Sequence, residues 1–422
     1  ARAFPLPLPV ADWCVRNAKP VGRLKTLAVF CRVRRMLFGK LRQSWSDFVL
    51  VERGHQQYEP VSFTPDSRAF QHRSEVDLYL AMHRCRERLD EGVPAAEVWL
   101  DVPGPCENAW LTSRRDRLLL ELGRQAERQG ERELALDAFA SSGHREARLK
   151  QLRLLELMKR HQDAWAIASE WQSHDLSDAE AQGLERILKR LASRLGKTPP
   201  VPPARPAIRD ITLTLPKPAM GSVEYAVQQH LYREETPAFY VENTLINGLF
   251  GLLCWQTIFA PVPGAFFHPF HVGPADLTRE DFVSRRQASF EQCFGRLADG
   301  SYRERILANY RAKQGTTNPF VIWPVINEEL LSLALDCIPA EVMETLFRRL
   351  LRNIREHRSG FPDLIRFFPG VTDTEKRYEM VEVKGPGDRL QDHQIRWLEF
   401  FAVEGIPASV CYVRWQDDGV ME

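Results

Sequence analysis

The sequence predicts a multidomain protein that is mostly α-helical in its N-terminal part and α/β at its C-terminal end. Three observations lead there. With 422 residues, 44% of them hydrophobic, the chain is long enough to bury more than one core. Between residues 74 and 195, apolar positions recur at helical spacing almost without interruption. From Phe361 to Trp415 the pattern changes to strand, turn, strand, helix, strand.

Residues 1–72 read as a small basic module. From Ala1 to Ser46 the basic residues are Arg2, Arg16, Lys19, Arg23, Lys25, Arg32, Arg34, Arg35, Lys40 and Arg42, against a single acid, Asp12. The stretch from Arg16 to Gln43 has a helical pattern. "DFVLVERGHQQYEPVSF" reads as a strand pair, with Phe48, Leu50 and Val51 before the turn at Gly54 and Val61 and Phe63 after it. Arg34, Arg35, Lys40 and Arg42 are candidate contacts to a DNA backbone, a reading that stands level with a solvated helix face. The formal net charge of the whole chain is only +1, so any nucleic-acid footprint is local.

Residues 73–195 form a helical domain. "LLLELGRQAERQGERELALDAFASSG" is echoed about thirty residues later by "LKQLRLLELMKRHQDAWAIASEW". Ala135, Leu136 and Phe139 in one pair, and Ala164, Trp165 and Ala168 in the next, alternate small and large as in tetratricopeptide-like helical hairpins. The echo is degenerate, which leaves a plain helical bundle as the alternative. In either case these helices are scaffold, with surfaces for protein partners, rather than chemistry.

"GKTPPVPPARP", with five prolines in eleven residues, opens an extended linker over residues 196–209. The last domain, 210–422, starts with the short edge strand "DITLTLP". It continues through a long helical region from Ser222 to His357, broken at Pro261, Pro263, Gly273 and Pro324, and reaches its core at 360–416. There Leu364 to Phe368 and "YEMVEVKG" are strands, "LQDHQIRWLEFFAVEG" a helix and "ASVCYVRW" the last strand.

The eight cysteines are spread singly, without the close pairs of a zinc site or disulfide framework, so a reducing compartment is expected. His230, His268, His271 and His393 do not form a zinc-ligand spacing either. The first residues lack the charged start and apolar core of a signal peptide. The longest apolar stretch, Thr244 to Phe259, is too short and too interrupted to span a membrane. The expectation from composition is a soluble protein.

The chemistry concentrates in the last segment. Alternate strand residues share a face, so Glu382 and Lys384 point together while Val381 and Val383 point to the core. A hairpin between Pro369 and Lys376 brings Asp363 beside them. Two carboxylates suit a hard divalent cation such as Mg²⁺ or Mn²⁺, which takes oxygen ligands and keeps waters and substrate phosphates; the Val383 carbonyl adds another oxygen. The lysine offers positive charge to a hydroxide nucleophile or to a phosphorane-like transition state. An acid and a lysine two apart on a strand are also the pattern of a surface salt-bridge face. Here they are joined by the Gly360-Phe361-Pro362-Asp363 lead, the Gly385-Pro386 turn and a helix carrying Gln394 and Trp397.

With those residues the segment resembles the VRR-NUC branch of the PD-(D/E)xK nucleases, which have a restriction-endonuclease-like α/β fold. The resemblance implies Asp363 and Glu382 as metal ligands, Lys384 as the catalytic lysine and Gln394 as a helix residue reaching back to the site, with Asp388 and Arg389 shaping the turn. The order of helical repeats, proline-rich linker and terminal nuclease unit resembles the Fanconi-associated nuclease family over nearly the whole chain. That implies a third acid ahead of a Leu-Phe-Gly-Leu-Leu-Cys-Trp run, which here is Glu242 in "YVENTLINGLFGLLCWQTIF". By its residues alone Glu242 reads as an acid opening an apolar helix, where the helix N-terminus favours it. The family further implies that residues 1–72 are the tail of, or the segment after, a SAP-type region. It implies cleavage near 5′ flaps and branches, 5′-to-3′ exonuclease action and a part in interstrand crosslink repair. The same resemblance implies a protein without an organic cofactor, cytoplasmic and DNA-associated in a bacterium, nuclear in a eukaryote.

"AEVMETLFRRLLRNIREHRSG" sets Arg348, Arg352 and Arg355 at helical spacing ahead of Asp363, and with Arg358 they are candidate phosphate contacts beside a plain solvated face. Glu291 is a further candidate carboxylate, though its pattern is that of a solvated helix position. Two other functions are compatible with the pattern: a Holliday-junction resolvase cutting as a symmetric dimer, and a non-catalytic scaffold binding DNA or proteins. The extensive helical part argues against the first, and the intact Asp363, Glu382 and Lys384 against the second.

Overall fold

The computed structural model describes residues 56–416, apart from 63, 175, 200–204, 219–220 and 374–375, together with 49, 53 and 54. The basic stretch with Arg34, Arg35, Lys40 and Arg42, and Phe48, Leu50, Val51 and Phe63 of the expected strand pair, lie outside the described residues, and Val61 is not in a strand, because Gln57 bridges Thr316 instead of a hairpin partner. The chain folds as two compact units, one built on Ser62–Pro202 with Pro261–Phe270, the other on Pro203–Ala260 and His271–Glu422 with Gln57–Val61. The division falls inside the proline-rich stretch.

The first unit is helical: α1 (Arg73–Asp90), α2 (Ala95–Trp99), α3 (Ala109–Gln129), α4 (Arg132–Ala140), α5 (Arg145–Leu157), α6 (His161–Trp171) and α7 (Asp178–Leu195). From α3 onward each helix packs on the next, as successive hairpins do. Small residues allow it: a Cβ at Gly123 of α3 would meet the Phe139 ring of α4 at 2.5 Å. Ala135, Ala138, Ala164 and Ala168 are fully buried in the same core. Gly130, φ +83°, closes α3 in the left-handed conformation that suits glycine at a helix C-terminus. Pro261–Phe270 joins this unit through Phe267, whose ring lies 6.3 Å from that of Trp110.

The second unit contains β1 (Asp210–Leu215), α8 (Val223–Leu231), β2 (Ala238–Tyr240), α9 (Leu245–Leu253), α10 (Trp255–Ile258), α11 (Gln287–Asp299), α12 (Tyr302–Lys313), α13 (Glu328–Cys337), α14 (Ala340–Arg352), α15 (Ile354–His357), β3 (Leu364–Phe367), β4 (Tyr378–Lys384), α16 (Asp392–Glu404) and β5 (Ala408–Trp415). The strands form one sheet in the order β1-β5-β4-β3-β2. β5 runs parallel to both β1 and β4, whereas β3 is antiparallel to β4 and to β2. Strand β2 lies inside the region whose spacing predicts helix. Three residues are too few to show a period of two, and Ala238–Tyr240 is a strand because β3 pairs with it.

Strand β4 is central and buried on both faces. Val381 and Val383 pack with Val227 of α8, Leu364, Cys411 and Val413. The opposite face, with Glu382 and Lys384, is reached by α16. Trp397 of α16 is buried, donates its indole N–H to the Ser359 carbonyl at 3.1 Å and lies 4.1 Å from the Phe361 ring. That contact clamps the chain just before β3 onto α16. Gly360 is essential to the clamp: its φ is +95°, and a Cβ there would meet the backbone oxygen of His393 at 2.8 Å. Gly360→Ala combines left-handed strain with a clash, and should lower the unfolding midpoint by roughly 5 °C. A circular dichroism melt that matches wild type would show that the approach is not tight.

Candidate active site

The antiparallel register sets Leu364 opposite Val381, so Asp363, one residue before β3, comes level with Glu382. Asp363 Oδ2 accepts the Val383 N–H at 2.8 Å, which ties it over the end of β4. Glu382 is fully buried, and Asp363 and Lys384 are only 7% and 8% exposed. Glu382 Oε1 accepts two hydrogen bonds of 2.6 Å, from Lys384 Nζ and from Gln394 Nε2. Glu382 Oε2 is buried without a hydrogen-bond partner among the described residues.

Gln394 is held at both ends. Its Oε1 accepts the Gln391 N–H at 2.9 Å as part of the cap of α16, so only its amide nitrogen is left to face Glu382. The turn after Lys384 is closed by Asp388, whose Oδ2 accepts the Gly385 N–H at 3.0 Å.

The electrostatics follow from burial. Desolvation pushes the Asp363 carboxyl up to about 6, opposed by the Val383 N–H and by Lys384. Desolvation, then the charge of Asp363, pushes Glu382 up to about 7, opposed by Lys384. Two adjacent buried carboxylates do not both ionise readily without a compensating cation. A buried oxygen without a partner, next to a carboxylate of raised pKa, is a donor set that fits a hard divalent ion.

Glu242 belongs to the same field, since its charge raises the pKa of both Asp363 and Glu382. It does not open α9, as its sequence context suggests. It lies in the turn before the Thr244 cap, where Asn243 takes φ +52°. Its Oε2 accepts the Tyr240 hydroxyl at 2.6 Å and its Oε1 the Asn243 side-chain amide at 3.1 Å. Among the described residues no three Asp, Glu, His or Cys side chains form a ready-made cation cage. The tight unit is therefore Asp363, Glu382, Lys384 and Gln394, with Glu242 beside it.

Residues not singled out by sequence hold this turn. The Val241 N–H donates to the Asp363 carbonyl at 2.8 Å, and Asn243 Oδ1 accepts the Phe361 N–H at 3.1 Å. Asn247 Nδ2 donates to the carbonyls of Asn243 and Arg358 at 2.7 and 2.8 Å. The charge of Glu224, in the first turn of α8, also reaches Asp363. The polar Asn247 inside an apolar run is the one signal the sequence offers for any of these.

The arginine stripe is not continuous. α14 ends at Arg352 and Asn353 is extended, φ −158°, so Arg355 and Arg358 do not share the helix of Arg348 and Arg352. Arg348 is held by Glu291 through two bonds of 3.0 and 2.8 Å and by Glu344 at 2.8 Å. Glu291 is thereby an ion-pair partner on the surface. Arg358 donates to the Pro319 carbonyl at 2.8 Å, and Arg352 and Arg355 are exposed. Arg349, between the expected contacts, is buried with its guanidinium 4.2 Å from the Phe400 ring centre.

The family model described as VRR-NUC domain matches residues 297–415, which include β3, β4 and β5 with Asp363, Glu382 and Lys384, and this match makes the sheet part of a nuclease domain. A Pseudomonas aeruginosa protein described as a Fanconi-associated nuclease 1 homolog is 48% identical over 417 residues, 98% of this chain and 74% of that protein. The chain belongs to the Fanconi-associated nuclease family. A Caenorhabditis briggsae homolog is 36% identical over 212 residues, 47% of this chain and 23% of its own. A crystal structure described as paFAN1 bound to DNA with a 2-nucleotide 5′ flap and a gap superposes with a TM-score of 0.88 at 49% identity, over 93% of this chain and 71% of that one. No helix among the described residues is long and apolar enough to cross a membrane.

Both carboxyls bind their protons more tightly folded than unfolded. Each therefore contributes stability that is complete below about pH 4 and is lost as pH rises through about 6 for Asp363 and about 7 for Glu382. In EDTA, Asp363→Asn should gain stability relative to wild type between pH 5 and pH 8, by on the order of 1–3 kcal/mol. Parallel denaturation curves across that range would refute the buried-charge account.

Proposed function

We propose that this chain is a divalent-metal-dependent DNA nuclease that cleaves phosphodiesters near 5′ flaps and branches, with 5′-to-3′ exonuclease action, in the repair of interstrand crosslinks. One observation carries the reading: Glu382 has one oxygen fixed by Lys384 and Gln394 and the other buried bare beside Asp363. The flap DNA held by the crystallised relative supports the choice of substrate.

Asp363, Glu382 and the Val383 carbonyl would hold Mg²⁺ or Mn²⁺, with Glu242 as the further acid. When bound, such an ion polarises the phosphoryl oxygens, activates a water and stabilises the leaving oxygen. Lys384 keeps an ammonium group 2.6 Å from Glu382, where it lowers the cost of negative charge building on the attacked phosphate. Gln394 prevents rotation of the Glu382 carboxylate, so the same oxygen always stands free. Burial at this depth lowers the local dielectric and strengthens each of these interactions.

Arg352, Arg355 and Arg358 are the arginines proposed to meet the DNA backbone, together with Arg34, Arg35, Lys40 and Arg42; Arg348 would first have to exchange its carboxylates for phosphate. The helical unit would serve as tetratricopeptide-like scaffold for protein partners, with residues 196–209 as linker, and the protein would act on DNA in the cytoplasm.

The test is cleavage of 5′-flap DNA in Mg²⁺ or Mn²⁺. Asp363→Ala and Lys384→Ala should each slow it at least about a hundredfold, and EDTA should stop it. Symmetric paired cuts on a four-way junction would favour a resolvase, and tight binding without cleavage in either metal a scaffold.

A further inference from the structure

The sheet face that carries Glu382 and Lys384 does not end there. Lys384 is the register partner of Tyr412 on β5, which is the partner of Thr212 on β1, and one step along Arg414 is the partner of Thr214. Register partners on neighbouring strands point to the same side, so these side chains continue the row of Lys384. The row changes character along β5: Val410, level with Glu382, is buried, whereas Tyr412 is 36% exposed. Arg414, Thr212 and Thr214 are exposed too. An α/β sheet ordinarily buries both faces under helices, and here the described residues leave this part uncovered.

What remains is an open groove of about 680 Å³, floored by these four side chains and rimmed by the Gly385–Asp388 turn. Its floor begins on β5, the strand next to Lys384, and reaches β1, roughly 10 Å or two strand spacings from β4. Among the described residues none of the four side chains has a hydrogen-bond, ion-pair or ring partner, so a ring, a guanidinium and two hydroxyls all face the groove. Asp388, the acid on the rim, is held by the Gly385 N–H.

We propose that this groove is a track for unpaired DNA, the single-stranded segment adjoining the phosphodiester that is cut. A ring to stack on a base, a guanidinium for the next phosphate and two hydroxyls for sugar or phosphate oxygens form the set that single-strand grooves use. Continuity with Lys384 supplies the direction: a strand whose phosphate lies at Lys384 meets Tyr412 next and Arg414 after it. A duplex would need a wider platform than two strands. A flat apolar partner would leave the guanidinium and hydroxyls unsatisfied. The proposal rests on the nuclease reading above and adds the strand that the site grips.

The test uses the full chain in EDTA and two DNA probes, a 5′-flap substrate and a blunt duplex of the same length, each with a fluorescent label for anisotropy. Tyr412→Ala and Arg414→Ala should each raise the Kd for the flap substrate about tenfold and leave that for the duplex within about twofold. A 2-aminopurine base in the unpaired segment should be quenched by wild type and by Tyr412→Phe, but not by Tyr412→Ala. Unchanged flap affinity, equal losses on both probes or quenching that survives Tyr412→Ala would each overturn the track. Failure of wild type to cut the flap substrate in Mg²⁺ or Mn²⁺ would instead overturn the nuclease reading. The two failures are thereby separate.

Discussion

Two carboxylates buried side by side at the end of a central strand are unfavourable by themselves, and the second unit is arranged around that cost. Asp363 is tied by a backbone N–H, and Glu382 by an ammonium and an amide. Each of these ties engages one carboxylate oxygen, and Glu382 Oε2 stays buried without a partner among the described residues. Burial raises the proton affinity of both, and the charge of Asp363 raises that of Glu382 further, against the opposing charge of Lys384.

Holding such a pair requires support from distant parts of the chain. The 241–247 turn is tied to 358–363 through Val241, Asn243 and Asn247, across more than a hundred residues. Trp397 pins the same segment from α16, and Arg349 covers that tryptophan from α14. Asp363 is thus fixed from two sides before any substrate arrives. The geometry of the pair depends on tertiary packing rather than on the hairpin alone, as preorganised sites require.

How much of this the sequence discloses follows from what each residue does. The β3–β4 hairpin, the common face of Glu382 and Lys384 and the helix bringing Gln394 were legible because period-two and helical spacing encode them locally. The shape of the Glu242 turn was not, since a left-handed asparagine and a three-residue strand leave no periodic trace. Nor was the break at Asn353, which divides arginines that a continuous helix would align. Arg349 shows the same limit: helical spacing says which residues share a face but not which arginine is drawn under aromatic rings. The meeting of Glu242 with Asp363 and Glu382 was expected from family resemblance, not from spacing.

The strand order also bears on how the sheet closes. β5, the latest of these five strands in chain order, inserts between β4 and the much earlier β1. Until it docks, β4 has an open edge and β1 has no partner among the described strands, so the early strand joins the sheet only through β5. Closing the sheet is therefore a long-range step, slower than forming the local β3–β4 hairpin.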